Sequence, residues 1–384
     1  MPATDAIYFT SEHQAFRDTV RRFVRAEMAP HVDAWEAAGG FPRSLYRRCG
    51  ELGLLGLGHP EAVGGTPSAD IFHLLIFTEE LVTEGRCGGL AATLMTTYIG
   101  TPPIRRMGTP EQQQRFLPKV IRGEWVAALG ITEPDAGSDV AGIRTRAVRE
   151  GDDYIVNGAK VFITCGTEAD FVTTAVRTGG EGHGGISLVV VPTDTPGFSV
   201  TRKLDKMGWR CSDTAELAYV DCRVPAANLI GRENEGFKAI MSNFQTERLM
   251  LAAMAVASGQ LALQEALGYA RTRQAFGGPL TDKQVIRHML ADMATRVDVA
   301  REYVYRIADR FKHGDDCTTE VSMAKNVAYD AARDVIDAAV QIHGGLGFMT
   351  GTVVERLYRD NRVLGIGGGA REIMNEIIAR RLLP

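Results

Sequence analysis

The chain has 384 residues, 45% of them hydrophobic and 23% charged, and 43 basic against 47 acidic side chains leave a formal charge of −4. Ordinary globular composition at about two to three domain lengths excludes disorder, collagen-like repeats and small disulfide scaffolds. The near balance of charge excludes the strong positive field that non-specific nucleic-acid binding needs. No apolar run approaches the ~20 residues that cross a bilayer. The start, MPATDAIYFTSEHQ, shows neither a basic n-region nor an apolar h-region, so a cytoplasmic protein without a membrane span is expected. The six cysteines are scattered without a Cys-x-x-Cys pair, and the eight histidines form no His-Glu-x-x-His or His-x-x-x-His pattern, so neither a structural disulfide nor a metal is expected.

In chain order, residues 1–125 read as an α-helical domain. Phe16, Val20, Phe23 and Val24 share one helical face and Leu74, Leu75, Phe77 and Leu81 another, with breakers at Pro42, Gly64-Gly65 and Pro102-Pro103. Residues 126–230 read as a β domain. Tyr154-Ile155-Val156 precedes the hairpin dipeptide Asn157-Gly158, and Phe171–Val176, Ile186–Val191 and Leu217–Val220 repeat the strand pattern between Gly, Pro, Asp and Thr. Residues 231–384 read as a helical bundle. Between Ala226 and Leu383 the one proline is Pro279, and Val285, Met289, Met293, Val297, Val304, Ile307 and Phe311 recur at three- and four-residue steps. The fold class is therefore α+β, in the order α, β, α.

Gly365-x-Gly367-x-x-Ala370 spells the dinucleotide fingerprint, but no strand precedes it and no acidic residue about 20 positions on completes a βαβ unit. A Gly-x-x-x-x-Gly-Lys loop and a Gly-x-Ser-x-Gly elbow are both missing, which removes the usual signatures of nucleotide hydrolysis and serine esterase chemistry. ITEPDAGSD, Ile131 to Asp139, offers close backbone approach at Gly137 and hydroxyls at Thr132 and Ser138, features that suit a planar polar heterocycle.

Further signatures follow in fixed order: KVFIT at Lys160–Thr164, KMGWRCSDT at Lys206–Thr214, RQAFGGPL at Arg273–Leu280, QIHGGLGF at Gln341–Phe348 and the C-terminal GGGAREIMNEIIAR. In this order and over nearly its whole length, the sequence resembles the acyl-CoA dehydrogenase family. The resemblance implies an N-terminal helical domain, a middle β-barrel or two-sheet domain and a C-terminal four-helix bundle. It also implies one FAD per subunit, held between the β domain and the bundle and completed by a neighbouring subunit of a homo-oligomer, a homotetramer in expectation. Matched by position, Ile131, Thr132, Gly137 and Ser138 lie along the flavin, with Phe162, Ile163 and Thr164 on its other side. Arg273 and Phe276 would reach the cofactor of the neighbouring subunit, as would Gln341, Gly344 and Gly345. Gln284 and Glu372 join the cofactor set. A guanidinium fork suits a pyrophosphate.

The implied reaction is α,β-dehydrogenation of an acyl-CoA thioester, with electrons passed on to an electron-transfer flavoprotein. Its base must be a carboxylate in an apolar site, since desolvation raises basicity. Many relatives carry that glutamate in a C-terminal Tyr-Glu-Gly-Thr motif, where this chain has Gly367-Gly368-Gly369-Ala370. Ala370 replaces the usual threonine and so removes one hydroxyl near the flavin. Glu247 is the alternative base. Ile240, Phe244, Leu251 and Met254 share its helical face and its i+4 and i−4 neighbours carry no cation, a placement similar to the isovaleryl and long-chain branches of the family. Ser138, Phe244, Arg248, Gly368 and Gly369 would contact the substrate, and three glycines without side chains suggest room for a branched or bulky acyl group. Competing expectations are an acyl-CoA oxidase or flavin monooxygenase on the same scaffold, and a non-catalytic assembly or binding protein.

Overall fold

The architecture is that of a computed structural model, which describes residues 5–383. The predicted N-terminal periodicities fall on helices Ser11–Glu27, where Val20, Phe23 and Val24 are buried, and Ile71–Thr83, which is buried on nearly every side. Both helices start on capping boxes, from Thr10 and Asp70. Long-range packing also gathers His13, Asp70 and His73, which sequence spacing does not reveal. There Asp70 accepts bonds from the Phe72 and His73 amides while bound to both imidazoles.

The middle of the chain forms eight strands: β1 Ala127–Gly130, β2 Arg146–Glu150, β3 Asp153–Thr164, β4 Phe171–Arg177, β5 Ile186–Pro192, β6 Phe198–Lys203, β7 Thr214–Pro225 and β8 Leu229–Ile230. β6-β7-β3-β2 is an antiparallel half; β4-β5-β8, with β1 parallel on β4, is the other. A single parallel step, Arg146 opposite Arg177, joins the halves. The two halves are hydrogen-bonded into one eight-stranded sheet, the middle β domain that the resemblance implies. Asn157-Gly158 is not a hairpin turn: β3 runs through it, and a register shift against β7 between Val156 and Gly158 absorbs the glycine as a bulge. Thr145 fills the space where a side chain at Gly158 would stand, 2.5 Å from a Cβ built there. The β2–β3 turn lies instead at Gly151-Asp152, with Gly151 at φ 61°. A short two-residue connection between paired ends outweighs a turn-prone dipeptide inside a well-paired strand.

The bundle consists of helices Gly236–Thr272, Gln284–Lys312 and Thr318–His343, followed by Val353–Asn361 and Arg371–Leu382. Among the described residues, Gly236–Thr272 alone is long and apolar enough to cross a membrane. It does so by length and composition, and 72% of its apolar window is buried within the fold. One core joins the N-terminal helices to the bundle, from Phe23, Phe72 and Leu81 to Leu249, Val304 and Val335.

Asp360 locks the three regions together. Its carboxylate accepts from the Gly88 amide (3.0 Å) and from the Trp209 amide (2.6 Å), which lies in the KMGWRCSDT loop. Burial pushes its pKa up to about 6, aided by the nearby Glu36, while the two amides pull the other way. Asp360→Ala leaves two buried N–H donors unpaired and is expected to lower unfolding free energy by about 2–4 kcal/mol. Urea denaturation checks this, with Asp360→Asn expected to lose less.

Candidate active site

Two clusters of the predicted residues form, far apart along the bundle. The first surrounds Glu247, about three turns into the Gly236–Thr272 helix. One carboxylate oxygen, Oε2, is shielded from water and has no hydrogen-bond partner among the described residues. Burial raises the Glu247 pKa to about 7, against the pull of the Arg248 guanidinium and, more weakly, the Lys325 ammonium. Desolvation therefore outweighs two cations, leaving a carboxyl that ionises near neutrality. Phe244 stands one turn ahead, and the Arg248 guanidinium lies 5.5 Å from its ring centroid.

Gly368 and Gly369 come to this cluster from the C-terminal turn, with φ of +63° and +98°. A Cβ on Gly368 would sit 3.3 Å from Glu247 Oε1 and 2.2 Å from Leu251 Cδ1, and one on Gly369 would sit 2.5 Å from Met374 Cε. The expectation that these glycines leave room for substrate is corrected here: Leu251, Met374 and the Glu247 carboxylate already fill the volume above Gly368 and Gly369. Glycine is required for its left-handed backbone and for the close approach of the helix. Arg248 Nε donates to the Gly368 carbonyl at 3.4 Å. Lys325, which the sequence reading did not single out, donates from Nζ to the Leu364 and Gly369 carbonyls, each at 2.8 Å. A lysine on the polar side of a helical pattern reads as a solvated cation; here it is 2% exposed. Glu372 follows, exposed, in the first turn of Arg371–Leu382.

The ITEPDAGSD loop is held to β3. The Val161 amide donates to the Thr132 carbonyl at 2.9 Å, and Lys160 Nζ reaches both the Ile131 carbonyl (2.9 Å) and Glu133 Oε1 (2.7 Å). Glu133 also accepts from the Arg144 and Thr145 amides. This buried Lys160–Glu133 pair, another feature the sequence reading missed, fixes the loop from beneath. Burial brings the Lys160 pKa down to about 8, although Glu133 opposes the shift.

Beside the loop, Phe162 is 67% exposed on a left-handed backbone (φ 61°) at the β3–β7 bulge. Gly137 and Ser138 are exposed, and Thr132 and Thr164 are half-buried. Ile131 and Ile163 are buried, so their apolar side chains face the interior and only their backbone is open to a ligand beside the loop. An exposed ring held in a strained conformation beside hydroxyls is an arrangement that fits a planar heterocycle.

The second cluster lies beyond the far end of the same helix. Arg273, 26 residues after Glu247, is about 39 Å away along the axis. Its amino-acid neighbours form a small hairpin, Gln274-Ala275 against Gly278-Pro279, with Phe276 at its tip, 95% exposed at φ 52°. Gln284 opens the next helix and is exposed. His343 stacks on Tyr269, with ring centroids 4.4 Å apart, which brings exposed Gln341, Gly344 and Gly345 to this end as well. The Arg273 guanidinium has no ion pair among the described residues, as a pyrophosphate ligand requires.

The fold and these two clusters define an acyl-CoA dehydrogenase, and the chain belongs to that family. Family models match throughout: acyl-CoA dehydrogenase N-terminal domain over residues 10–124, middle domain over 128–222 and C-terminal domain over 234–383. The chain is 40% identical over 376 residues to the probable acyl-CoA dehydrogenase YngJ of Bacillus subtilis, covering 97% of this chain and 98% of that protein. It superposes with a TM-score of 0.96 on the crystal structure of a probable acyl-CoA dehydrogenase from Mycobacterium abscessus, at 52% identity, covering 98% and 100% of the two chains. A glutaryl-CoA dehydrogenase from Mycobacterium smegmatis, in complex with FADH2, matches at 26% identity and a TM-score of 0.92 over 99% and 96% of the chains. FAD is the cofactor of the family.

Because Gly368 meets Leu251 at its Cβ position and has positive φ, Gly368→Ala is expected to destabilise the protein by about 1–3 kcal/mol. Adding Leu251→Ala should relieve the steric part, so a double-mutant cycle by thermal denaturation is expected to show favourable coupling.

Proposed function

We propose that this acyl-CoA dehydrogenase removes the α proton of its thioester with Glu247, passes the electrons to an electron-transfer flavoprotein, and acts in the cytoplasm on a short or branched acyl group. The carrying observation is the shielded Glu247 Oε2, unpaired in an apolar setting with a pKa near neutrality. A carboxylate stripped of water is a stronger base toward a carbon acid, and with a pKa of about 7 it is about half ionised at pH 7 and largely ionised at pH 8. Bound FAD supplies the hydride acceptor. The chain's own residues do the remaining work. Thr132, Ser138, Thr164 and the backbone of Ile131 and Ile163 orient the ring, Phe162 lies along it, and Phe244 with Leu251 excludes water from the reacting carbons. The Arg248 cation lies beside the carboxylate and favours its ionised form.

A cavity of about 140 Å³ supports the acyl preference. Leu57, Ile71, Leu74 and Tyr98 form its apolar part, near Asn243 and Thr246 of the Glu247 helix, while His59, Asp70, Arg105 and Arg106 line the rest. Its apolar part offers room for a short tail. Assembly as a homo-oligomer, in expectation a tetramer, is supported by the distance from Glu247 to Arg273. A second copy would bring Arg273, Phe276, Gln284 and the Gln341–Gly345 segment to a site that its own Glu247 does not reach. Exposed Phe276, Leu346, Phe348 and Met349 at that end are consistent with a covered surface.

Glu247→Gln is expected to bind FAD with an unchanged visible spectrum while anaerobic bleaching by acyl-CoA slows at least a thousandfold; bleaching near the wild-type rate would place the base elsewhere. In the wild type the active form is the carboxylate. The bleaching rate should therefore level off above pH 8 and fall as pH drops through 7, reaching about tenfold per pH unit below 6. A panel of CoA thioesters tests the acyl preference: isobutyryl and isovaleryl chains should outpace palmitoyl chains in kcat/KM, and the reverse order would refute it.

A further inference from the structure

We propose that Lys325 is a positioning residue for the reaction: it staples the Leu364–Gly369 turn against Glu247 and places a cation beside that carboxylate. The inference rests on the reading of Glu247 as the base. Lys325 belongs to Thr318–His343, a helix that packs along Gly236–Thr272, and its Nζ donates to two carbonyls that bracket the glycine run, Leu364 and Gly369. The turn between them bends through two left-handed glycines, which cannot anchor themselves by side chains. Without the lysine, the turn, on which a Cβ at Gly368 would stand 3.3 Å from Glu247 Oε1, would rest on two hydrogen bonds from the Ile366 and Gly367 amides to the Val363 carbonyl and the long contact from Arg248 to Gly368.

Anchoring alone does not call for a charge. A neutral amide could donate to both carbonyls, whereas a buried ammonium carries a desolvation cost that stabilising the turn does not require. Burial lowers the Lys325 pKa to about 8, helped by Arg248 and opposed by Glu247, so the group remains largely cationic at pH 7. Lys325 makes no ion pair in direct contact among the described residues; the carboxylate that feels it is Glu247. The charged groups acting on Glu247 are Arg248 from its own helix and Lys325 from across the interface. Among the described residues, none acts from Ile71–Thr83, Gln284–Lys312, Val353–Asn361 or Arg371–Leu382. Lys325 thus favours the ionised base while shaping the wall beside it.

The test uses holoenzyme carrying Lys325→Gln, which keeps a neutral donor, and Lys325→Arg, which keeps the charge. With the cation gone the carboxylate should ionise at higher pH. Lys325→Gln is then expected to bleach about fivefold more slowly than wild type at pH 7 and to approach it at pH 9, while Lys325→Arg keeps the wild-type limb. Infrared titration of the protonated carboxyl C=O stretch, assigned by its loss in Glu247→Gln, reads the same midpoint without turnover and should move upward in Lys325→Gln. A uniform loss of rate at every pH with an unmoved infrared midpoint would reduce Lys325 to a fold-holding residue and overturn the proposal.

If Lys325→Gln does not fold, the converse measurement is made in Glu247→Gln. There the stabilisation that accompanies loss of the lysine proton should set in at lower pH than in wild type, and an unchanged onset would overturn the proposal. Undiminished bleaching in Glu247→Gln would instead sink the base assignment, an outcome distinct from failure at Lys325.

Discussion

The site depends on a carboxyl group with one oxygen, Glu247 Oε2, kept out of water and without a hydrogen-bond partner among the described residues. Such a group is costly, and most proteins would pair it or turn it to solvent. In this chain the cost is opposed by two cations that stop short of full neutralisation. Arg248 turns toward Phe244 and the Gly368 carbonyl, and Lys325 spends its donors on backbone oxygens. Each cation acts on Glu247 through space while its hydrogen bonds go elsewhere. Had either closed onto the carboxylate as a bidentate pair, its pKa would have dropped well below neutrality and the group would be a weak base. The arrangement separates charge stabilisation from hydrogen bonding, and that separation leaves a basic carboxylate.

The same region shows why one helix and one turn cannot both supply the acid. The volume above Gly368 holds Leu251 Cδ1 and Glu247 Oε1, so a side chain at 368 would displace them or be displaced. Close packing makes the two positions alternatives. The Gly368–Gly369 pair is thus the mark of a turn that has given its volume to the neighbouring helix.

Much of this was legible in the sequence because it is local. The stretch after Ala226, interrupted by the single proline Pro279, became three long helices, and an acid on an apolar stripe with no cation at i±4 became Glu247 with its shielded Oε2. What was not legible depends on contacts across the chain. Asn157-Gly158 carries a strong turn signal, yet pairing with β7 on one side and β2 on the other keeps β3 extended. Ile163 sits in a motif for cofactor contact, but strand alternation points it into the core. Lys325 and Lys160 look like ordinary helix and strand lysines. Their importance appears when carbonyls and a glutamate from segments 27 to 44 residues away converge on them. Buried cations that serve backbone oxygens leave no pattern in spacing, since their partners have no side-chain identity.

The long helix imposes a final constraint. As one continuous backbone ladder of 37 residues it fixes Glu247 near one end and Arg273 just past the other. Flexing cannot close a separation of about 39 Å, several times the reach of an arginine side chain, because helices bend gently and this stretch contains no proline. Whatever Arg273 binds is therefore remote from the Glu247 of its own chain. If the exposed Phe276 hairpin and the Gln341–Gly345 segment serve a flavin site, rigidity makes that site one shared between copies. Glu247 and the residue just past the far end of its helix would then belong to different sites, and cofactor retention would be coupled to assembly by the stiffness of that helix.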